Sequence, residues 1–458
     1  MKKRWIALLA CMAMLLALVA TACSSEKPSS SPSGTSPAVE SNQPSDQPSD
    51  EPGGFVQGVT DTEILVGNTA TTAGAYAAVG VPFNAGLQAA LKAYNDAGGY
   101  QGKTIRLINY NDDFDAANGL TYTQKLVEDD KIFALVGHFG TPTVGATLDY
   151  IKEKGIPMVY AATGISELYN ENATGSAAVV FSVQPIYDAE GRVLLARAMA
   201  SAENGVGLGG TKIGCISTTD DAGEGLKAGV MRQAKEANAD VVYQEVQSDA
   251  TDYSAAISVL KNAGCDVVII AANQAPMAKI MNAMRDANFN AKCITSYVNA
   301  SAVTMGNLVD DGSITADRPL YATAWLDTST EAGLNDYYVF YAAMQAWETE
   351  NSVPAEQTYV LNSYAMAGYI AGTVFTQGMQ HLEELGLELT WENYVKALEM
   401  VVPIPMGGTV DFTNGQRLGI VDLALNTISL DVDETTGYHS LQVVSPIMSL
   451  ADVWAEVK

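Results

Sequence analysis

The chain carries the sequence FALVGHFGTPT at residues 133–143. Its first five residues form a continuous apolar run, which is typical of a strand buried on both faces of a sheet. Gly140, Thr141 and Pro142 then form the pattern of a helix start, and a helical pattern covers about 142–153. A second apolar run, PMVY, follows at 157–160. This order of strand, helix and strand predicts two parallel strands joined by a crossover helix.

The same alternation extends outward from this unit in both directions. Toward the N-terminus, strand-like runs at 64–67 and 104–108 alternate with helical patterns at about 81–97 and 115–129. Beyond residue 185 the pattern repeats, with strand-like runs at 212–216, 241–243, 267–270 and 293–295 and helical patterns near 187–203, 222–237, 252–263 and 276–287. Two such halves in tandem predict an α/β fold of two doubly wound parallel-sheet lobes that face one another.

The C-terminal third has a different pattern. Residues 333–400 are mostly helical by pattern, and residues 409–446 return to strand-like runs. We therefore expect the chain to cross between the lobes more than once. In open α/β sheets, ligands bind beyond the carboxyl ends of the strands. Two facing lobes then place those ends at a shared cleft.

Composition supports a folded, acidic protein. The 458 residues are 48% hydrophobic and 17% charged, so packed cores are expected, and the formal charge is −27. Such a surface repels nucleic acid and anionic lipid headgroups, so we expect neither as a partner.

The first 54 residues have the features of an export leader and a tether. Three basic residues precede a short apolar run, so residues 1–22 are predicted to be a signal peptide. The run ends ATAC at 20–23, which permits either ordinary cleavage after Ala22 or lipid attachment to Cys23, and resemblance to bacterial lipoprotein signals favours the lipid anchor. Residues 23–54 are otherwise rich in Ser and Pro and are predicted to be a disordered linker. The alternative is a free N-terminal tail without an anchor.

The turn after the strand at 133–137 has the features of an anion site. Gly140 permits a tight turn, and Thr141 is a suitable N-cap for the helix that follows. Helix N-terminal N–H groups and the Thr141 hydroxyl could hold a carboxylate without any basic side chain. Plain helix capping explains the same residues. After the next strand, a small-residue turn with Thr163 and Ser166 offers similar chemistry.

These loops resemble a known family. The segments at 137–143, 155–159 and 161–164, together with 109–113 and 220–226, are similar to ligand loops of ABC-transporter solute-binding proteins of the branched-chain amino acid and amide type. The resemblance implies a type I periplasmic binding protein fold, with lobe 1 at 55–183 plus 317–408 and lobe 2 at 184–316 plus 409–458. It also implies a multi-strand hinge that crosses near 183–185, 316–318 and 407–408.

The family resemblance also implies roles for particular residues. Thr141 is expected to hold a ligand carboxylate, with help from Gly140, Ala162 and Thr163. In the second lobe, the places where the family has two aromatic residues and a glutamate that pairs with the ligand ammonium hold other residues here, namely Ala222, Asn273 and Tyr297 with Ser296.

The partner for a ligand ammonium is therefore missing from the expected place. A desolvated ammonium without a carboxylate is costly, so an amino acid ligand needs Asp220, Asp221 or Asp113 in the cleft. If these acids are helix caps instead, aromatic or aliphatic carboxylates and amides become as plausible as leucine or valine. Tyr76 and Tyr297 are candidates to line such a pocket, although ordinary packing would explain both.

Nothing in the sequence favours an enzyme, a cofactor or a metal. The chain has no G-x-S-x-G motif, the glycine-rich run at 205–212 fails the P-loop spacing, and its three histidines share no metal spacing. Cys215, Cys265 and Cys293 are predicted to be buried thiols, although one disulfide among them is not excluded by the spacing.

The sequence thus predicts a monomeric, extracytoplasmic, lipid-anchored solute-binding protein. It is expected to bind a small carboxylate-bearing solute, an amino acid, an amide or an aromatic acid, by hinge closure and to deliver it to an ABC permease. A ligand-sensing subunit for a signalling partner shares the same pocket, and a secreted hydrolase is a further alternative.

Overall fold

The computed structural model describes residues 56–434 and 437–457. The predicted signal peptide at 1–22, the anchor residue Cys23 and the whole of the predicted linker up to residue 54 lie outside the described residues. Within the described ranges, no helix combines the length and the apolar character needed to cross a bilayer.

The first part of the chain forms a five-stranded sheet. Its strands are β1 (Glu63–Thr69), β2 (Thr104–Tyr110), β3 (Ala134–Phe139), β4 (Met158–Ala162) and β5 (Val180–Phe181), all paired in parallel in the order β2-β1-β3-β4-β5. The crossover helices are α1 (Ala77–Asp96), α2 (Ala116–Glu128) and α3 (Thr141–Lys154). Every residue of β3 and β4 is buried, because helices cover both faces of the sheet.

The second lobe begins with α4 (Tyr187–Met199) and repeats the alternation. Its strands are β6 (Ile213–Thr218), β7 (Val241–Val246), β8 (Val267–Ala271), β9 (Lys292–Thr295) and β10 (Leu320–Ala324). Its further helices are α5 (Asp221–Ala237), α6 (Ser254–Asn262), α7 (Gln274–Asp286) and α8 (Ala302–Asp310). The helix α4 packs on α5, whereas α6, α7 and α8 pack on one another in sequence.

The chain then returns to the first lobe. The long helices α9 (Glu331–Glu350) and α10 (Ser363–Glu384) pack on α1, and α11 (Trp391–Leu398) packs on α10. A hairpin of β11 (Val401–Ile404) and β12 (Gly408–Asp411) follows. Its neighbour Phe412 packs edge-on against Phe181, with ring centroids 5.0 Å apart.

The last elements complete the second sheet. β13 (Leu423–Ile428) and β14 (Leu441–Met448) pair antiparallel, and α12 (Leu450–Ala455) packs on α4. The seven-stranded order is β14-β13-β10-β9-β8-β6-β7, in which β13 pairs antiparallel with β10. The predicted α/β class with two helix-covered, mainly parallel sheets is confirmed.

Two predicted lobe boundaries differ from the structure. The boundary at 317 precedes β10, yet β10 pairs with β9 and β13 and so belongs to the second sheet. The boundary at 408–409 falls at the start of β12, which pairs with β11 beside the first lobe. The chain therefore crosses after residue 324 and again between 412 and 423, because strand pairing rather than local pattern decides which lobe a segment joins.

Candidate functional site

The first wall of the candidate site is the junction of β3 and α3. Gly140 has φ 102°, a conformation that L side chains rarely adopt, and a methyl group on it would lie 3.1 Å from the Phe114 ring. Gly140 is the N-cap, so Thr141 is the first residue of α3 and not its cap as predicted. The first N–H groups of α3 lack partners within the helix, and its positive dipole end lies here.

The Thr141 hydroxyl lies at the centre of a cluster of three hydroxyls. Its oxygen is 2.9 Å from that of Thr163 and 3.3 Å from that of Tyr187, and all three side chains are buried. Tyr187 is the first residue of α4, so it brings the second lobe onto the first-lobe loop. Each hydroxyl can donate and accept, so the cluster can turn a proton toward a bound carboxylate.

The second wall comes from the loops after β8 and β9. Asn273 is the N-cap of α7, and Tyr297 begins a short helical turn after β9. The Tyr297 hydroxyl accepts a hydrogen bond from Gln184 Nε2 at 2.8 Å and donates one to the Pro185 carbonyl at 3.0 Å. Tyr297 is thereby tied to the segment that joins the lobes, and burial raises the pKa of its hydroxyl well above its usual value.

These two walls enclose a cavity of about 80 Å³. Phe83, Phe114 and Phe139 give it an aromatic side. The wall residues that also line it are Gly140, Thr141, Tyr187, Asn273 and Tyr297. Among its sixteen lining residues in the described ranges there is no Asp, Glu, Lys, Arg or His. The cavity thus has an apolar, aromatic side and a polar part made of hydroxyl and amide groups, and none of its lining side chains is charged.

Five of the eight predicted site residues line this cavity and three do not. Those that line it are Gly140, Thr141, Ala162, Asn273 and Tyr297. Thr163, one of the three that do not, lies behind Thr141 as its hydrogen-bond partner.

Tyr76 and Asp221, the other two, lie near the cavity. Tyr76 stacks on Phe114 with ring centroids 3.9 Å apart, so it backs the aromatic side. Asp221 lies between the lobes, because a methyl group on Gly145 of α3 would come within 3.3 Å of its Oδ2. Burial, then the charges of Glu167 and Asp220, raise the pKa of Asp221.

The remaining candidate partners for an ammonium have structural roles. Asp220 is the N-cap of α5 and accepts from the Gly223 N–H at 2.9 Å. Asp113 is exposed and accepts from Asn111 Nδ2 at 2.6 Å. No described acidic side chain lines the cavity, which leaves a ligand ammonium without the partner that the sequence analysis required.

Sequence analysis missed Glu190, which lies on α4 beneath the second wall. Its buried carboxylate accepts hydrogen bonds from Ser296 Oγ at 2.7 Å, from the Tyr297 N–H at 2.8 Å and from Thr323 Oγ1. Burial raises its pKa to about 7, against the opposing effect of these donors. Glu190 thus fixes the loop that carries Tyr297. Its place in a helical pattern gave no signal, since acidic residues of helices usually face solvent.

Direct hydrogen bonds also join the lobes at the cavity edge. At the start of α10, Ser363 Oγ donates to the Ala300 carbonyl at 2.8 Å, and the Tyr364 hydroxyl donates to the Val298 carbonyl at 3.0 Å. The helix α10 belongs to the first lobe and the 297–300 segment to the second. These two bonds hold the lobes together at this edge of the cavity.

A larger groove of about 870 Å³ lies elsewhere, bordered by α4, α5 and α12. Most of its lining residues lie on these three helices, and Ser166 and Tyr169 from the segment after β4 form one edge, but neither Thr141 nor any other residue of the two walls lines it. His138, the one histidine at a strand end, is buried, and burial lowers its pKa to about 3. In the described ranges no group of three or more His, Cys, Asp or Glu could hold a metal ion, and Cys215, Cys265 and Cys293 are buried free thiols.

Comparison with known proteins agrees with this architecture. The model of a family described as periplasmic binding protein matches residues 63–425. The chain is 26% identical over 239 residues to the Leu/Ile/Val-binding protein homolog 2 of Brucella abortus, which covers 52% of this chain and 62% of that protein. The chain thus spans about three fifths of the length of that curated relative.

Solved structures share the fold. One is the fatty acid ABC transporter substrate-binding protein of Thermomonospora curvata, with a TM-score of 0.71, 16% identity and coverage of 88% of this chain and 97% of that one. Another is the solute-binding protein of an R. palustris ABC transporter in complex with benzoate, with a TM-score of 0.65, 16% identity and coverage of 84% and 98%. Since the family match extends over most of the chain, this chain belongs to the periplasmic binding protein family.

Proposed function

We propose that this protein binds a small monocarboxylate that has an apolar body and no ammonium group, and that it delivers this solute to an ABC permease. The family places it outside the cytoplasm, and we propose that Cys23 anchors it to the membrane. The solute binds between the lobes, and no bond is made or broken.

The observation that carries this proposal is the position of Thr141. Its hydroxyl stands at the N-terminus of α3 and lines a cavity without a charged side chain. A carboxylate gains charge-assisted hydrogen bonds and the favourable end of the helix dipole there. An ammonium in the same cavity would lose its hydration without gaining a carboxylate partner, at a cost of several kcal/mol on the order-of-magnitude scale for buried charges.

Two structural neighbours support an acid as ligand. One is described as a fatty acid binding protein, and the other was solved with benzoate. The cavity of about 80 Å³ favours an acid of benzoate size over a long-chain acid, and its phenylalanine side suits a planar or branched apolar body.

Hinge closure explains how binding is signalled to the permease. Tyr187 and Tyr297 reach the cavity from the second-lobe side and its hinge. These contacts to a ligand exist only when the lobes are shut, so a bound acid increases the closed population. The permease would then recognise the closed form.

A matched set of ligands tests the proposal. Isothermal titration should show that 4-methylpentanoate binds at least about 10-fold more tightly than leucine, which adds the ammonium, and than 4-methylpentanamide, which removes the charge. Benzoate serves as the aromatic member of the set. Leucine binding more tightly than 4-methylpentanoate would refute the proposal, because it requires an ammonium partner that the cavity lining lacks.

A further inference from the structure

Asn273 has hydrogen-bonding groups that the protein does not use. The residue is 3% exposed, it lines the cavity, and its side-chain amide makes no hydrogen bond with any other described residue. The other two amide side chains of the lining are engaged. Gln184 bonds to Tyr160 and Tyr297, and Gln274 Nε2 donates to the Val298 carbonyl at 2.8 Å. Asn273 is therefore the lining amide left for a bound molecule.

The backbone around Asn273 favours an oxygen at this place. Asn273 is the N-cap of α7, a helix of 13 residues, and its side chain does not cap the helix. The first N–H groups of α7 have no partner within the helix, and the positive end of the helix dipole lies there. An amide can donate through its NH₂ group to a ligand oxygen or accept from a ligand hydroxyl. A buried amide that forms neither bond is unfavourable, so a ligand that satisfies it gains affinity.

The oxygen should be neutral. Thr141 and α3 already provide for one carboxylate, and no described Lys, Arg or His lines the cavity to balance a second. Two carboxylates within about 80 Å³ would repel one another in a low-dielectric space. The whole chain carries −27, which disfavours a dianion further.

We infer that Asn273 forms a second polar subsite, and that the ligand is a monocarboxylate with a neutral hydroxyl or carbonyl oxygen away from its carboxylate. This inference rests on the proposed function, since it assumes that Thr141 binds the carboxylate. Asn273 then determines specificity: it distinguishes oxygenated acids from their unsubstituted parents, because only the former satisfy the amide.

Two ligand series test the subsite by isothermal titration. One compares benzoate with its 3-hydroxy and 4-hydroxy derivatives, and the other compares pentanoate with 4-oxopentanoate. In the wild type, at least one oxygenated acid should bind about 10-fold or more tightly than its parent. In Asn273→Leu, which keeps the branching of the side chain at a larger volume and loses no helix cap bond, that advantage should fall below about 2-fold. Parent and derivative are compared within the same variant, so that the added bulk affects both acids.

The outcomes separate the subsite from the proposed function. If both parent acids bind the wild type at least as tightly as every oxygenated derivative, the subsite is refuted and the carboxylate proposal stands. If no acid of either series binds, the carboxylate proposal fails and the subsite fails with it. The wild-type comparison does not depend on the variant, and Asn273→Ala, which also removes the amide, provides a second variant should Asn273→Leu fail to fold. An oxygenated advantage that persists in a folded variant also refutes the role of Asn273.

Discussion

Replacing Thr141 by valine should weaken the binding of benzoate and 4-methylpentanoate about 5- to 150-fold. Valine has nearly the same shape as threonine but lacks the hydroxyl that lines the cavity at the start of α3. Loss of one hydrogen bond to a carboxylate costs about 1 to 3 kcal/mol, and each 1.4 kcal/mol corresponds to about tenfold in Kd. Titration calorimetry of the purified variant measures this change directly.

Thr163→Val is a closely matched control. The two hydroxyls share one hydrogen bond of 2.9 Å, so either substitution breaks it and leaves the other hydroxyl buried. Thr163→Val should therefore lower the free energy of unfolding by about 1 to 3 kcal/mol. Thr141→Val should lower it by at least as much, because it also removes the contact with the Tyr187 hydroxyl at 3.3 Å. Thr163 does not line the cavity, whereas Thr141 does. We expect Thr163→Val to change Kd less than about 3-fold.

The comparison separates binding from stability. Equal weakening of ligand affinity by both variants would mean that the hydrogen bond only holds the loop in place. Undiminished affinity of a folded Thr141→Val protein for every carboxylate tested would refute the assignment of Thr141 altogether. In either case the carboxylate contact would have to be sought elsewhere in the cavity.

Three further predictions concern the walls of the site. Gly140→Ala should lower the melting temperature, because Gly140 has a positive φ and a methyl group there would press on Phe114. Gly155→Ala is the control and should lower it less, since Gly155 also has a positive φ, 70°, but open surroundings. Equal shifts in melting temperature would contradict the steric contribution at Gly140. Since the pKa of Glu190 is raised from 4.5 to about 7, its contribution to stability is lost as pH rises through 7. In urea titrations, the free energy of unfolding of the wild type should fall by up to about 3 kcal/mol relative to that of Glu190→Gln between about pH 5 and about pH 8. A difference between the two proteins that does not change with pH would disprove the raised pKa. Tyr364→Phe removes a hydrogen bond between the lobes and should weaken ligand binding about 3- to 10-fold. Tyr394→Phe is the control and should leave Kd unchanged, because the Tyr394 hydroxyl bonds within the first lobe. Similar Kd values for both variants would refute a role of Tyr364 in lobe closure.

Local patterns predicted the elements and the principal loop of the site. Continuous apolar runs marked the buried parallel strands, and the helical patterns between them correspond to observed helices, because both patterns follow from burial on the faces of a sheet. Asp220 is a helix cap, which is one of the two alternatives that its position before a helical run left open. The loop at 140–141, which lines the cavity, was predicted as a candidate anion site because small residues and a helix start are visible in the sequence.

Contacts between distant segments could not be predicted. Glu190 bonds to residues 106, 107 and 133 positions away, and nothing in its local pattern distinguishes it from a solvent-facing acid. Tyr187 approaches Thr141 across 46 positions. β10 joins the second sheet by pairing with β9 and also with β13, which lies about a hundred residues later.

The sequence by itself determined the α/β class, the two lobes and a loop suited to a carboxylate, because these depend on periodicity and on residues adjacent in the chain. Only the tertiary structure decided which lobe β10 joins, that Tyr187 and Asn273 line the same cavity, and that no acidic side chain in the described ranges does so. Those features depend on strand pairing and lobe closure. Both bring together residues far apart in sequence. Their stability depends on interactions throughout the fold, so no single segment of the sequence reveals them.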